Sequence, residues 1–492
     1  MGIIIRQSVK GAFWSYLGIV IGYINVGIIM PQFFDTAQVG LVQLFASVSL
    51  IFAQFGTLGF TSVINRMFPR FRNPRHQHHG FLFLALVAGM LGFILVVAGF
   101  VLLHPWIVET NIEKSPLLVD YLWLLLPLVL MRILFTLLDN YNKMLYDAVT
   151  GTFWLEFMHK VINLVLILLF ALGSIGFPLF FYGYLVSMSL PVVPVIIVLL
   201  RRKQFSLKPD PVFLTPALKK ETGSVMAYGF VNGLAAILLV NVDKVFVNQY
   251  LSLSEVGIFG VCALFATLIK VPYNSISKIA TGIIAEAWKR DDRAHITEIY
   301  RKSSLSQAIA GTLIFVGIMV NLHNVFDILP PVYSSGKWVL VIYSAGMLWI
   351  TIIGLAGTIT ETSSYYRFTT IFQLVSVVVQ FLLSFLLIPR LGITGAAIAT
   401  IATLFLYFTS QAVLQKVVFG ITGISRSIVV VLLFGVLGFV AGWLMPRLPL
   451  VADIVVRSGA VVLVFGGLVW ISKIWPEANE LTSHLLRKAG IR

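Results

Sequence analysis

Charge is what this sequence lacks. Asp, Glu, Lys and Arg make up 11% of its 492 residues, against roughly 25% in an ordinary globular protein. Hydrophobic residues reach 59% and the mean hydropathy is +0.95. That leaves too little polar surface to coat the three or so soluble domains, at about 150 residues each, that this length would otherwise suggest. Cysteine is nearly absent too: the single Cys262 sits in an apolar run, which excludes a disulfide framework and a thiolate metal cluster. No G-x-x-x-x-G-K-[ST] phosphate loop occurs, so nucleotide-driven pumping has no motif. No small-residue cleavage site follows the first apolar stretch beyond Arg6 and Lys10, so the first helix is expected to stay attached.

What is present in abundance is long apolar runs. A bilayer core of about 30 Å needs about 20 such residues in helix. Runs of this kind lie near 11–30, 39–64, 80–104, 117–138, 153–173, 178–200, 224–246, 256–285, 304–326, 338–359, 368–388, 392–414, 427–446 and 454–472. They lack the alternation of barrel strands. In lipid the backbone must satisfy its own hydrogen bonds, so each run is expected to be a helix. The expected fold is therefore an all-α polytopic membrane protein with fourteen spans.

The few charges sort by alternate loops. Arg66, Arg70, Arg72 and Arg75 follow the second span, Arg201 to Lys220 the sixth, and Lys289 to Lys302 the eighth. One side carries 25 Lys/Arg and 11 acids; the other, with Asp120 and Arg457 at the span ends counted there, carries 5 and 7; the spans carry 5 and 2. The net charges are +14, −2 and +3, so the positive-inside rule puts the first side, and both termini, in the cytoplasm. No connection is long enough for a soluble domain of any size. A membrane polysaccharide polymerase or ligase would be expected to show a long outer loop with Arg and His, and the outer connections are short.

Self-similarity appears at an offset of 217, where Gln32-Phe33 through Val39-Gly40 reads against Gln249-Tyr250 through Val256-Gly257. Leu172-Gly173-Ser174-Ile175-Gly176 matches Leu391-Gly392-Ile393-Thr394-Gly395 at an offset of 219. The repeat unit is six spans. Six is even, so the two halves are parallel, and spans thirteen and fourteen lie outside them. The expected organisation is a bundle over 1–200, a basic cytoplasmic linker over 201–223, a second bundle over 224–418, and two further spans with a cytoplasmic tail over 419–492. In such architectures a cavity forms between the halves and opens to alternate faces.

The 6+6+2 layout, the Val-Gly that closes the first linker of each half, the Asn241-Val242-Asp243-Lys244 run and Leu391-Gly392-Ile393-Thr394-Gly395-Ala396-Ala397-Ile398-Ala399 resemble the polysaccharide transporter branch of the multidrug/oligosaccharidyl-lipid/polysaccharide exporter superfamily. The resemblance implies a flippase, not an enzyme, that moves a polyprenyl-diphosphate-linked oligosaccharide across the cytoplasmic (inner) membrane. It would serve lipopolysaccharide or exopolysaccharide synthesis, without a cofactor. Lipid-linked oligosaccharide, membrane lipids, a polysaccharide polymerase and glycosyltransferases are the expected partners, and nucleic acid is not. Lipid II flippases share the fourteen-span layout. Drug/cation antiporters usually have twelve spans and would concentrate acids in their cavity.

A charge near the bilayer centre costs about 2.5–3.5 kcal/mol on insertion scales, so the exceptions are informative. Lys270 lies near mid-membrane beside Pro272, which is expected to kink the eighth span. It reads either as a cavity cation for the diphosphate or as a lysine snorkelling to the surface. Lys278 reads as near-surface. Arg132 reads as cavity lining or as the partner of an acid such as Glu156. Glu156 and Lys160 are spaced i,i+4 and can neutralise each other, leaving His159 as a packing residue. Asp243 and Glu156 are the candidate coupling-ion residues. Asp243 and Lys244, being adjacent, diverge by about 100° and are not expected to pair. Tyr16, Tyr23 and Asn25 in the first span, with Tyr228, Asn232 and Asn241 in the seventh, are candidate sugar contacts or interhelical hydrogen-bond groups. The Arg66–Arg75 cluster with His76, His78 and His79 lacks orienting acids for a metal. It reads as topology and headgroup contact. Gly18-x-x-x-Gly22 and Gly438-x-x-x-Gly442 are expected to serve helix packing.

Overall fold

A computed structural model describes residues 2–210 and 212–475, so the expected cytoplasmic tail beyond 475 lies outside the described residues. Among the described residues regular structure is helical throughout. Thirteen helices are long and apolar enough to cross a membrane. In chain order they are α1 (Lys10–Phe33), α2 (Thr36–Gly56), α3 (Phe81–Asn111), α4 (Pro116–Met144), α5 (Val149–Ala171), α6 (Phe177–Arg201), α7 (Pro216–Tyr250), α8 (Leu253–Lys289), α9 (Arg293–Val320), α10 (Pro331–Ile353), the long helix Arg367–Phe419, and two further helices, Arg426–Trp443 and Leu450–Ile471.

The 53-residue helix Arg367–Phe419 is not one crossing. At 1.5 Å per residue it would be about 80 Å long, against a bilayer core of about 30 Å. It breaks at Gly392, whose φ of 60° and ψ of −142° suit only glycine. Beyond the break the chain doubles back, and the Leu387 and Ile388 backbone leaves no room for a Cβ at Gly395. Gln380 Nε2 donates to Thr400 Oγ1 at 3.0 Å, and Gln373 Nε2 to the Tyr407 hydroxyl at 3.4 Å. Both pairs fit an antiparallel hairpin with arms α11 (367–391) and α12 (393–419). The hairpin thus supplies two of the expected apolar runs, 368–388 and 392–414, from one continuous helical stretch. The last two are then α13 (Arg426–Trp443) and α14 (Leu450–Ile471).

Contacts divide the chain into two compact units, Met1–Val261 and Cys262–Arg492, with the boundary inside α8. In the first unit, α1 crosses α5 through the expected glycines. A Cβ at Gly18 would meet the Glu156 carbonyl, and one at Gly22 would sit 3.3 Å from Lys160 Cδ. In lipid no hydrophobic effect drives helices together, so such close backbone contact is what dispersion attraction needs. Both helices carry a π-helical turn, Ile24–Ile29 in α1 and Phe153–Met158 in α5. A buried polar knot ties the α3–α4 turn to the α7–α8 turn. Asn248 Nδ2 donates to Asn111 Oδ1 at 2.7 Å, Ser115 Oγ to Asn248 Oδ1 at 3.0 Å, and the Leu253 amide to Ser115 Oγ at 3.0 Å.

In the second unit α13 and α14 dock on α9. Ile309, Val431, Phe465 and Val469 form one core, and Val316, Val320 and Val461 another. A Cβ at Gly438 would sit 3.2 Å from Phe465 Cβ, and one at Gly442 would sit 3.0 Å from Val461 Cγ2, so this glycine pair also serves packing. The end of α14 is pinned by charge. Asp453 Oδ2 accepts from Arg457 Nε at 2.7 Å, Asn324 Nδ2 at 2.7 Å and His323 Nε2 at 2.9 Å. Arg457 also donates to the Gly442 and Met445 carbonyls at 2.9 and 2.8 Å, capping α13. Both side chains are buried.

Candidate functional site

Within the first unit, Arg132 of α4 stands among groups from α5 and α6. Its charge acts on Glu156 and Tyr184, and on His159. Its Nε is buried without a hydrogen-bond partner among the described residues, and Nη2 has only Met188 Sδ, at 3.9 Å. Glu156 is taken by Lys160, at 3.3 Å across one helical turn as the spacing predicts. Asn25 is buried and donates to the Lys160 carbonyl at 2.8 Å, beside the π-helical turn of α5. His159 is fastened to Ser187 at 3.2 Å, and Ser187 to Asn163 at 2.7 Å, so this histidine is locked into interhelical contact. Arg132, Glu156, Lys160 and Asn25 thus adjoin. Tyr16 is 44% exposed and Tyr23 half-buried on α1; on α7, Tyr228 is 37% exposed and Asn232 half-buried.

Asp243 departs from expectation. It is buried near the end of α7, and Lys244 Nζ curls back to within 3.8 Å of its Oδ1. The Lys244 amide donates to the same oxygen at 2.8 Å. The helical angle between neighbours holds for Cβ directions, but four methylenes let the ammonium return across it. Asn241 bonds only within its own helix among the hydrogen bonds seen here, donating to the Ile237 carbonyl at 3.1 Å.

The histidine cluster departs as well. Gln77, His78 and His79 take φ of 48°, 55° and 52°, followed by Gly80 at 67°. Left-handed backbone costs about 1–2 kcal/mol per residue for non-glycine residues, so such a run needs holding from outside. The linker holds it. His78 Nδ1 accepts from the Asn73 amide at 3.1 Å and Nε2 reaches Gln204 Oε1 at 2.6 Å. His79 Nδ1 meets Asp210 Oδ2 at 2.8 Å, and its ring stacks on Phe213 at 3.8 Å. The His79 hydrogen bond holds the Asp210 carboxyl below its usual range. The acid missing from the local sequence comes from 131 residues downstream. No group of three or more metal-ligating side chains occurs among the described residues.

In the second unit, α8 is broken by a 3₁₀ turn, Leu268–Lys270, immediately before Val271-Pro272. The break places the Lys270 ammonium over two rings, 5.5 Å from the Tyr273 centroid and 5.7 Å from Phe408. No acid lies within ion-pair distance of it among the described residues. Lys278, two turns on, is exposed. Around Lys270 the unit gathers polar groups that spacing alone did not single out. Tyr273 and Tyr407 both feel the Glu361 carboxylate, and the Tyr407 hydroxyl accepts from Gln373 Nε2 at 3.4 Å. Gln307 of α9 is wholly buried, with neither amide atom partnered among the described residues. The usable signal was the polar stripe Thr369, Gln373, Ser376, Gln380 and Ser384, which falls on one face of α11 at helical spacing.

The architecture has solved counterparts. A lipid II flippase MurJ in an inward closed conformation superposes with a TM-score of 0.72, covering 96% of this chain and 100% of that one at 13% identity. An inward-facing multidrug resistance MATE family transporter of the MOP superfamily gives 0.62, over 81% and 94% at 12% identity. The MATE transporter ClbM in complex with Rb+ gives 0.53, over 83% and 93% at 15% identity. No curated protein matches in sequence. Residues 8–282 match the polysaccharide biosynthesis protein family, more than half of the chain. The chain is a multi-pass membrane protein that shares its fold with these structures, and it belongs to the polysaccharide biosynthesis protein family.

Proposed function

We propose that this protein is a flippase for a polyprenyl-diphosphate-linked oligosaccharide, working by alternating access in the cytoplasmic membrane to supply surface polysaccharide synthesis. One observation carries the reading. Lys270, expected near mid-membrane, lies over aromatic rings with no acid within ion-pair distance among the described residues, which suits a lysine awaiting an anionic ligand. Arg132, with its buried and unpartnered Nε, supports the same role in the first unit. Tyr16, Tyr23, Asn25, Tyr228 and Asn232 would meet sugar, and Asp243 and Glu156 are the residues proposed for ion coupling. A polymerase and glycosyltransferases would act on the same glycan. The fold likeness to a lipid II flippase over 96% of the chain favours lipid II as the second reading. Reconstituted vesicles supplied with labelled lipid-linked oligosaccharide should show translocation that lipid II does not compete. Competition by lipid II, with no movement of the oligosaccharide, would reject the first reading for the second.

A further inference from the structure

The α11–α12 hairpin is two-faced. Gln373, Gln380 and Ser384 of α11 and Thr403, Gln411 and Gln415 of α12 are buried. Its other face is exposed and apolar: Phe385 is 62% and Val417 76% exposed. On helices of crossing length that face meets lipid. Toward the end away from Gly392 it is not flat. A groove of about 390 Å³ opens there between Phe372 on α11 and Phe405, Leu406, Val413 and Val417 on α12. Trp349 of α10 backs it, stacking on Phe405 at 4.8 Å and donating from Nε1 to Thr409 Oγ1 at 3.1 Å. The Thr409 hydroxyl is thereby engaged, and the walls offer an occupant mainly hydrocarbon contact.

The groove's mouth is cationic. Lys416 is exposed in the last turn of α12, three residues past Val413 and so on the same helix face. Arg367 is exposed where α11 begins. The register of the Gln380–Thr400 and Gln373–Tyr407 pairs sets it level with Val413. Neither arm contains an acidic residue. We infer that this groove is a binding site for an anionic phospholipid, one acyl chain lying along Phe405 to Val417 and the phosphate meeting Lys416 and Arg367. Long cationic side chains at a helix end reach the headgroup layer while their stems stay in hydrocarbon, which is the geometry such a phosphate needs. The site is independent of which substrate is carried.

The test uses the full chain in neutral detergent, titrated with phosphatidylglycerol or with phosphatidylcholine of the same acyl chains, and native mass spectrometry to read bound lipid. Phosphatidylglycerol should stay bound at detergent levels that strip phosphatidylcholine. Lys416→Gln and Arg367→Gln should each lower its retention roughly fivefold, leaving the double variant near the phosphatidylcholine level. Val413→Trp fills the groove and should release both lipids; Val417→Trp gives the same reading should the first variant not fold. Equal retention of the two lipids by the unaltered chain overturns the inference. So does undiminished phosphatidylglycerol on a folded Trp variant, or preferential retention of a polyprenyl phosphate over phosphatidylglycerol.

Discussion

Gly40 and Gly257 touch backbone to backbone, and they do so reciprocally. A Cβ at Gly40 would meet the Leu253 carbonyl and sit 3.1 Å from Gly257 N; one at Gly257 would meet the Thr36 carbonyl and sit 3.0 Å from Gly40 N. Thr36 and Leu253, like Gly40 and Gly257, are separated by 217 residues. Each member of the repeated Val-Gly motif is thus the packing surface of the other. Either glycine changed to Leu should abolish a monodisperse gel-filtration peak. Gly282→Ala, which meets nothing within 4 Å, should leave the peak unchanged.

Lys270→Ala should insert normally and lose surface polysaccharide. A charge-assisted hydrogen bond is worth about 1.5–3 kcal/mol, so transport in vesicles should fall roughly tenfold or more. Intact export at normal protein level would remove Lys270 from the mechanism.

Asp243→Asn examines coupling. The variant should transport without responding to the ion gradient, measured as the ratio of initial rates with and without that gradient. A ratio equal to that of the unaltered chain excludes Asp243 as the coupling site.

Arg457→Leu leaves the buried Asp453 without its main counter-charge. Breaking such a pair costs about 3–5 kcal/mol, and the thermal unfolding midpoint should fall accordingly. The double variant Asp453→Leu/Arg457→Leu should recover part of the loss, because no isolated charge remains.

The linker clasp is pH-dependent in one direction. The Asp210 carboxyl is depressed by its hydrogen bond to His79, so its stabilisation is present above the unfolded carboxylate range near 3.9 and is lost as pH falls through the folded value. Limited proteolysis within 204–215 should accelerate across that acidic range, and Asp210→Asn should cleave at a rate independent of pH there.

How much of this was legible depends on the distance over which each feature is specified. The spans were readable because lipid demands an uninterrupted apolar run from each segment by itself. The hairpin turn at Gly392 and the kink before Pro272 were readable for the same local reason. Gly173, which the sequence match sets against Gly392, also has positive φ, at 71°. Side-chain company was another matter. His79 finds its acid in the linker, Asp453 finds Asn324 across 129 residues, and Lys270 finds Phe408 on α12. Asp453, just ahead of the apolar run 454–472, is the buried partner of Arg457, four residues on. Spacing can propose such an i,i+4 pair, but nothing in a single sequence says which face is covered.

The α11–α12 hairpin carries a consequence for biosynthesis. Gln380 Nε2 finds Thr400, and Gln373 Nε2 finds Tyr407, only once both arms are present. Either arm released alone would show its amides to hydrocarbon, at several kcal/mol for each unsatisfied group. The first arm must therefore wait in the insertion machinery until the second has emerged. The unit that partitions into the membrane is the pair, and the Gly392 turn sets how early during translation that can happen.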